Sequence, residues 1–335
     1  MPSSKRRLDI VDVCKGAAII GVLILHIGNR RYGDETLSLF HEIQKWAAWS
    51  VYAFLFLAGY LHGQSSREES PWAFLARRAQ RLLWPACWLS VLYSVLYHFA
   101  RKVLPMDFTA DPFAPTLAGK LSDSLLYVVS LGIFGQRAWL QLYFFPLLFW
   151  ISAVFILLTC VFSSLNRLKI LCGVLLAVVV GMAFYEPLPT SVLSWQMIVV
   201  GLFQYTLAFL LGKTSSFVRQ WRILATGSFV AAMIFSFSLG HASLLILIIP
   251  LLLFLVLKKI AAVRWLEPLR MAGRASASIF AFHLPFVLLP LQWLFFRLHA
   301  PILINVVLSI ALTIAVCTGI HHVLQKTPAL RWWRI

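Results

Sequence analysis

The sequence predicts an all-α, polytopic membrane protein of about ten transmembrane helices with both termini in the cytoplasm, on three observations. Of 335 residues, 61% are hydrophobic and only 12% charged, and the mean hydropathy is +0.84, far outside the composition of ordinary globular domains. Apolar runs of about 20 residues, the length needed to cross ~30 Å of hydrocarbon, recur along the whole chain. Basic residues gather on alternate connections between those runs. A β-barrel would show shorter segments alternating apolar and polar residues, and no such pattern is present.

The spans are expected at residues 10–29, 46–63, 82–100, 138–161, 168–184, 194–212, 222–238, 242–258, 276–296 and 301–321. The first follows the basic segment "MPSSKRRLD", and Asp12 and Lys15 within it, with no small-residue cleavage site, argue against a cleavable signal peptide. The second is rich in aromatics, and the third follows the basic run "ARRAQRLLWP" that closes the connection 64–81. The longest connection, 101–137, contains "PMDFTADPFAPT" and the apolar piece "LLYVVSLGIFG", which is too short to span and reads as interfacial or re-entrant. Between the eighth and ninth spans lies "KKIAAVRWLEPLRMAGR", residues 258–274. No internal repeat of the kind common in secondary transporters is visible. The chain 1–335 is expected to form a single transmembrane domain with no appended soluble domain.

The net charge of +17 is topological in origin. With the N-terminus inside, the cytoplasmic segments hold 20 of the 29 Lys and Arg and the outer segments 8, while the outer segments carry 7 of the 12 acidic residues. That asymmetry is the positive-inside pattern, and no nucleic-acid partner is expected. The five cysteines lie in or at the edges of apolar runs without a CxxC pair, so neither a disulfide framework nor a metal site is indicated.

The segment "DVCKGAAIIGVLILH" carries the chemistry. A lysine at the centre of a span costs about 2.5–3.5 kcal/mol on insertion scales, so Lys15 is either paired or functional. Asp12, three residues earlier on the same helix, is close enough to partner it. Eleven residues separate Lys15 from His26, three turns and a rise of ~16 Å, so both side chains leave one face and predict a single interior route between the two sides of the membrane. A histidine buried at that depth is neutral at pH 7 and has a nitrogen free to accept a proton, as a general base does. The plainer alternative makes His26 interfacial and Lys15 a snorkelling anchor.

This segment resembles the first membrane helix of the acyltransferase-3 family, whose hallmark is Arg or Lys, ten residues, then His. "VYAFLFLAGYLHG" resembles the family's second helix. "RRAQRLLWP" is similar to its cytoplasmic Arg-x-x-Arg element, matched by Arg78 and Arg81. "AGRASASIFAFHLPF" resembles its late Gly…Ser…His-x-Pro segment, matched by Gly273, Ser276, His283 and Pro285. At "RAWLQLYFF" the fit is poorer, because Trp139 is followed by Leu140 where the family commonly has Trp-Phe-Leu.

The resemblance implies transfer of an acyl group, often acetyl, from cytoplasmic acyl-CoA to a hydroxyl of a cell-surface glycan or lipid-linked sugar, in a bacterial inner membrane. Acyl-CoA enters as a co-substrate; no permanently bound cofactor is expected. Arg77, Arg78 and Arg81 are the expected donor-binding cluster, since i,i+3 and i,i+4 spacing makes them one patch and the guanidinium fork fits phosphate. Lys15 is the counter-charge deeper in, with His26 as base and Asp12 beside Lys15. His283 and Ser276, expected in the cytoplasmic half of the ninth span, are candidates for the pocket, as are Trp139 and Tyr143, which can supply donors to a developing oxyanion. His62 and His98 read as interfacial, and Asp107, Asp111 and Asp123 as solvated loop residues. The competing class is a secondary transporter or lipid-linked-sugar flippase using Lys15, His26 and His283 as a relay; a membrane scaffold gives no reason for the Lys/His stripe.

Overall fold

The computed structural model describes residues 4–27, 43–44, 46–65, 69–103, 118–119, 121–122, 125–126, 140–185, 195–214, 245–260 and 263–327. Its helices are α1 (Ser4–Leu25), α2 (Trp49–Gln64), α3 (Pro71–Val103), α4 (Phe144–Val161), α5 (Leu165–Tyr185), α6 (Trp195–Lys213), α7 (Leu245–Ile260), α8 (Glu267–Arg274), α9 (Ser276–Phe282), α10 (Leu289–Arg297) and α11 (Ile302–Lys326). No strand occurs among the described residues. Every expected span coincides with a helix except 222–238, which lies outside the described residues. On length and apolarity alone α4, α5, α6 and α11 qualify as membrane spans, or five spans when the bent pair containing α9 and α10 counts as one. Four to five such helices among the described residues are the mark of a multi-pass membrane protein. α2 and α7 are only 16 residues long, and α1 carries Asp9, Asp12 and Lys15.

The burial pattern is that of a protein solvated by lipid. The buried residues of α11 are Asn305, Ser309, Thr313, Cys317 and His321, every fourth position, so its inward stripe is mostly polar. The outward face is Leu303, Ile304, Val307, Leu308, Leu312 and Val316, all exposed. The stripe is internally satisfied: Asn305 Nδ2 donates to the Gln292 carbonyl (3.2 Å), Ser309 Oγ to Asn305 Oδ1 (3.0 Å), and Ser278 Oγ lies 3.0 Å from His321 Nδ1. Hydrocarbon is as apolar as leucine, so helices in a bilayer gain by turning polar groups toward one another. Water would favour the reverse orientation.

Two close crossings fix the register around the site. A Cβ on Gly16 would overlap the Leu269 carbonyl, and one on Gly273 would overlap the Asp12 carbonyl, so α1 and α8 touch backbone to backbone. Gly59 and Gly63, four apart on α2, meet the Tyr205 and Phe209 carbonyls of α6 in the same way. Small residues at this spacing are what permit such approach.

Proline supplies the breaks. Pro250 has no N–H for the Ile246 carbonyl, and Gln204 Nε2 donates to it instead (3.2 Å) and to the Leu247 carbonyl (2.7 Å). Pro285 likewise frees the Ala281 carbonyl, which accepts from the Tyr93 hydroxyl. A π-turn follows at His283–Leu288, and the stretches Ser276–Phe282 and Phe286–Arg297 are bent by 72°.

Candidate active site

One cavity of about 490 Å³ opens where α2, α3, α6, α8 and α9 converge, and it collects charge from four helices, α1, α3, α6 and α8. Arg77, Arg78 and Arg81 of α3, Lys213 at the end of α6, Arg274 at the end of α8 and Lys15 of α1 all line it; among the described residues Glu69 is the one acidic residue of the lining. The three α3 arginines share a face because they stand three and four residues apart. Phe74, one turn earlier, supports them: its ring lies 5.7 Å from the Arg77 guanidinium and 5.2 Å from that of Arg78. His62 stacks on Phe74 with centroids 4.6 Å apart. His62 Nδ1 shares a 3.0 Å hydrogen bond with the Tyr205 hydroxyl, which Arg78 also contacts. Glu69 occupies the Arg77 fork through both carboxylate oxygens.

Behind Lys15, the α1–α8 crossing brings Arg274 to Asp12, where they form a 3.4 Å ion pair. Asp12, expected to partner Lys15, interacts electrostatically with it and is ion-paired with Arg274 as well. Arg274 also reaches Glu267 (3.5 Å), and the Arg270 guanidinium bonded to Glu267 (2.6 Å) holds that exposed carboxyl below the usual carboxylate range.

The other end of the cavity is apolar. Phe54 and Ala58 of α2, Phe144, Phe145 and Leu148 of α4, and Ala277 and Phe280 of α9 line it. The rings of Phe54, Phe144 and Phe280 touch pairwise, with centroids 5.6, 5.9 and 4.7 Å apart. Phe280 also lies edge-on to His283, at 6.1 Å.

Next to that wall stand two histidines. His26 follows the last residue of α1, and its ring centroid is 5.1 Å from that of His283. His283 is fully buried, and its Nδ1 is 2.9 Å from the Ile279 carbonyl and 3.0 Å from the Phe280 carbonyl. Carbonyls only accept, so Nδ1 carries the proton and Nε2 is the basic nitrogen. That Nε2 is buried and has no hydrogen-bond partner among the described residues. A buried acceptor left open in this way is costly unless something else fills it.

The acyltransferase domain family model matches residues 8–322. The chain belongs to the acyltransferase-3 family. No curated protein and no solved structure matches it.

Within this membrane acyltransferase, the cavity brings Lys15, Arg77, Arg78, Arg81 and Ser276 together. Among the described residues its lining includes Lys15 but not His26. His283 was expected at a different depth from His26, yet the two rings adjoin. α1 and α8 run antiparallel, Asp12 against Gly273 and Gly16 against Leu269, so it is α9, beyond the break at Ala275, that turns back along α1 and brings His283 to His26. Tyr143 is buried beside Phe144 and does not line the cavity. Trp139, Asp107, Asp111 and Asp123 lie outside the described residues, as does most of 101–137; the His98 side chain does also. His62, read as interfacial, lines the cavity. Sequence reasoning missed Lys213, Arg274 and Glu69. Arg274 sits inside the quoted "AGRASASIFAFHLPF" and was legible there; nothing local marks the other two.

Proposed function

We propose that this acyltransferase takes an acyl group, acetyl by preference, from cytoplasmic acyl-CoA and transfers it to a hydroxyl of a cell-surface glycan or lipid-linked sugar. The observation that carries the reading is a cavity charged at one end and aromatic at the other, the polarity of an acyl-CoA itself. Among the described residues, six cationic side chains against one carboxylate suit the donor's phosphates. The neutral arm then runs past Lys15 and presents its thioester toward Phe280 and the histidines.

In the reaction the acceptor oxygen bonds to the thioester carbonyl carbon, the carbon–sulfur bond breaks, and the hydroxyl proton must be removed as attack proceeds. His26 is the general base. His283, its Nδ1–H fixed by two carbonyls, turns an unprotonated Nε2 into the same apolar space, where it can accept a hydrogen bond from the acceptor hydroxyl or from a protonated His26. The proton finally leaves on the thiolate of CoA. The carbonyl end of α1, beside His26, is a favourable neighbour for an imidazolium formed in passing. This reading sets both termini and the basic mouth in the cytoplasm of a bacterium, with the histidine pair toward the outer half of the inner membrane.

The test supplies labelled acetyl-CoA inside sealed vesicles holding the protein and a glycan outside. Base-labile label on the glycan, lost in His26→Ala, is the expected result. Label transfer that survives His26→Ala removes the general-base role. The bend at His283–Leu288 is also a device by which transporters build sites within the bilayer, and sugar movement without label transfer would favour that function instead.

A further inference from the structure

An acyl-CoA-dependent enzyme must set the length of acyl chain it accepts, and the inner end of the cavity has the parts to do so. Four helices give the same order along the cavity. On α2, His62 lies at the basic end and Phe54 eight residues, or ~12 Å, farther in. α4 runs from Ile156 through Leu148 to Phe144 and Phe145, and α9 from Ser276 through Ala277 to Phe280. α1 contributes Lys15 and then passes on toward His26. On each helix, then, one end of the lining adjoins the charged groups and the other lies at or beside the phenylalanines. A linear donor with its phosphates among the arginines has its acyl group at the rings.

Hydrophobicity alone cannot select a short chain there. An apolar site favours each added methylene by about fourfold, so it would prefer long acyl groups unless its walls resist. These walls are built to resist: Phe54, Phe144 and Phe280 are 8%, 6% and 4% exposed, they touch one another pairwise, and Phe145 braces both Phe144 (6.4 Å) and Phe280 (6.2 Å). Close-packed rings in one rotamer yield little to an extra carbon. The only small side chains among these inner residues are Ala58, one turn from Phe54 on the same face, and Ala277. They leave a recess beside the rings.

Resting on the donor reading above, we propose that the Phe54–Phe144–Phe280 triangle, with the Ala58–Ala277 recess, is a steric gauge that limits the donor to acetyl and little longer. The experiment compares acetyl-, butyryl-, hexanoyl- and octanoyl-CoA as donors in purified protein and in two kinds of variant. Phe144→Ala and the milder Phe144→Leu enlarge the inner end without touching a residue beside either histidine. They should raise the hexanoyl-to-acetyl ratio of kcat/KM by about tenfold or more, the scale of one or two methylenes in a fitted pocket. Ala58→Val narrows the recess and should depress butyryl before acetyl transfer, which keeps the proposal open to refutation if the phenylalanine variants do not fold. The gauge is overturned if these variants transfer acetyl and keep the wild-type order of chain lengths. If the wild-type protein transfers no acyl group from any of the four thioesters, it is the donor reading that fails, and the gauge with it.

Discussion

Arg78→Ala tests the donor end most directly. Arg78 lines the cavity over Phe74 and contacts the buried Tyr205 hydroxyl, so its guanidinium is held in place before any ligand arrives. A hydrogen bond to a charged group contributes about 1.5–3 kcal/mol, and 1.4 kcal/mol is a factor of ten. Loss of this one group should therefore raise the KM for acetyl-CoA by about 10–150-fold. The proposed reaction places the chemistry at the Phe280–His283 end, so kcat should stay within about threefold. Arg78→Lys keeps the charge but loses the planar fork, and should recover only part of the loss. Tyr205→Phe, which keeps the arginine and removes the hydroxyl that steadies it, should fall between wild type and Arg78→Lys. Initial rates of free-thiol release against acetyl-CoA concentration give all the constants. A KM for Arg78→Ala near the wild-type value, or a fall in kcat at constant KM, would refute the assignment of phosphates to this cluster.

Three more changes probe other parts of the site. His283→Asn keeps a donor for the Ile279 and Phe280 carbonyls but has no basic nitrogen; kcat should fall about 10²–10⁴-fold with CoA binding by calorimetry unchanged, and an unaltered kcat would leave His283 a packing residue. Glu69→Gln removes the carboxylate from the Arg77 fork and makes the cavity more positive, so the KM for acetyl-CoA should drop severalfold; a rise would show that Glu69 positions Arg77 for the donor instead. Gly273→Val drives a branched side chain into the Asp12 carbonyl, an overpacking that costs about 1–3 kcal/mol or more. It should lower the thermal unfolding midpoint in detergent and raise the donor KM, because Arg274 moves with α8; an unchanged midpoint would mean the crossing is looser than described.

How much of this was legible in the sequence follows from how local each feature is. The α3 arginines were legible because three charges three and four residues apart on a helix share a face whatever the rest of the fold does. Lys15 was legible because a cation within an apolar run needs a reason. Lys213, Arg274 and Glu69 come from other helices, and only backbone contacts such as Gly59 with Tyr205 and Gly273 with Asp12 decide that those helices meet there. Asp12 shows the same limit: Lys15, three residues away, was legible as its charged neighbour, but the ion pair with Arg274, a residue more than 250 positions along the chain, was not. The phenylalanine triangle was invisible, since the chain holds 26 phenylalanines and nothing local separates three of them from the rest.

Under the proposed reaction, the phenylalanine wall between the Lys15 end of the cavity and the histidine pair has a physical use that the helical stripe alone does not reveal. An open polar route along α1 would join the two faces of the membrane with water, conducting ions and delivering water to the thioester. Dry, apolar constrictions are how membrane proteins stop both, by dewetting. The rings of Phe54, Phe144 and Phe280 supply such a constriction at the point where charge gives way to the histidine pair. Under the proposed reaction the uncharged acyl end of the donor is the part suited to reach that wall. The phosphates, held by arginines and the two lysines, remain at the basic mouth. In that reaction Lys15 and His26 serve one transfer from opposite sides of a barrier, and the ~16 Å between them is the length over which the donor changes from charged to apolar.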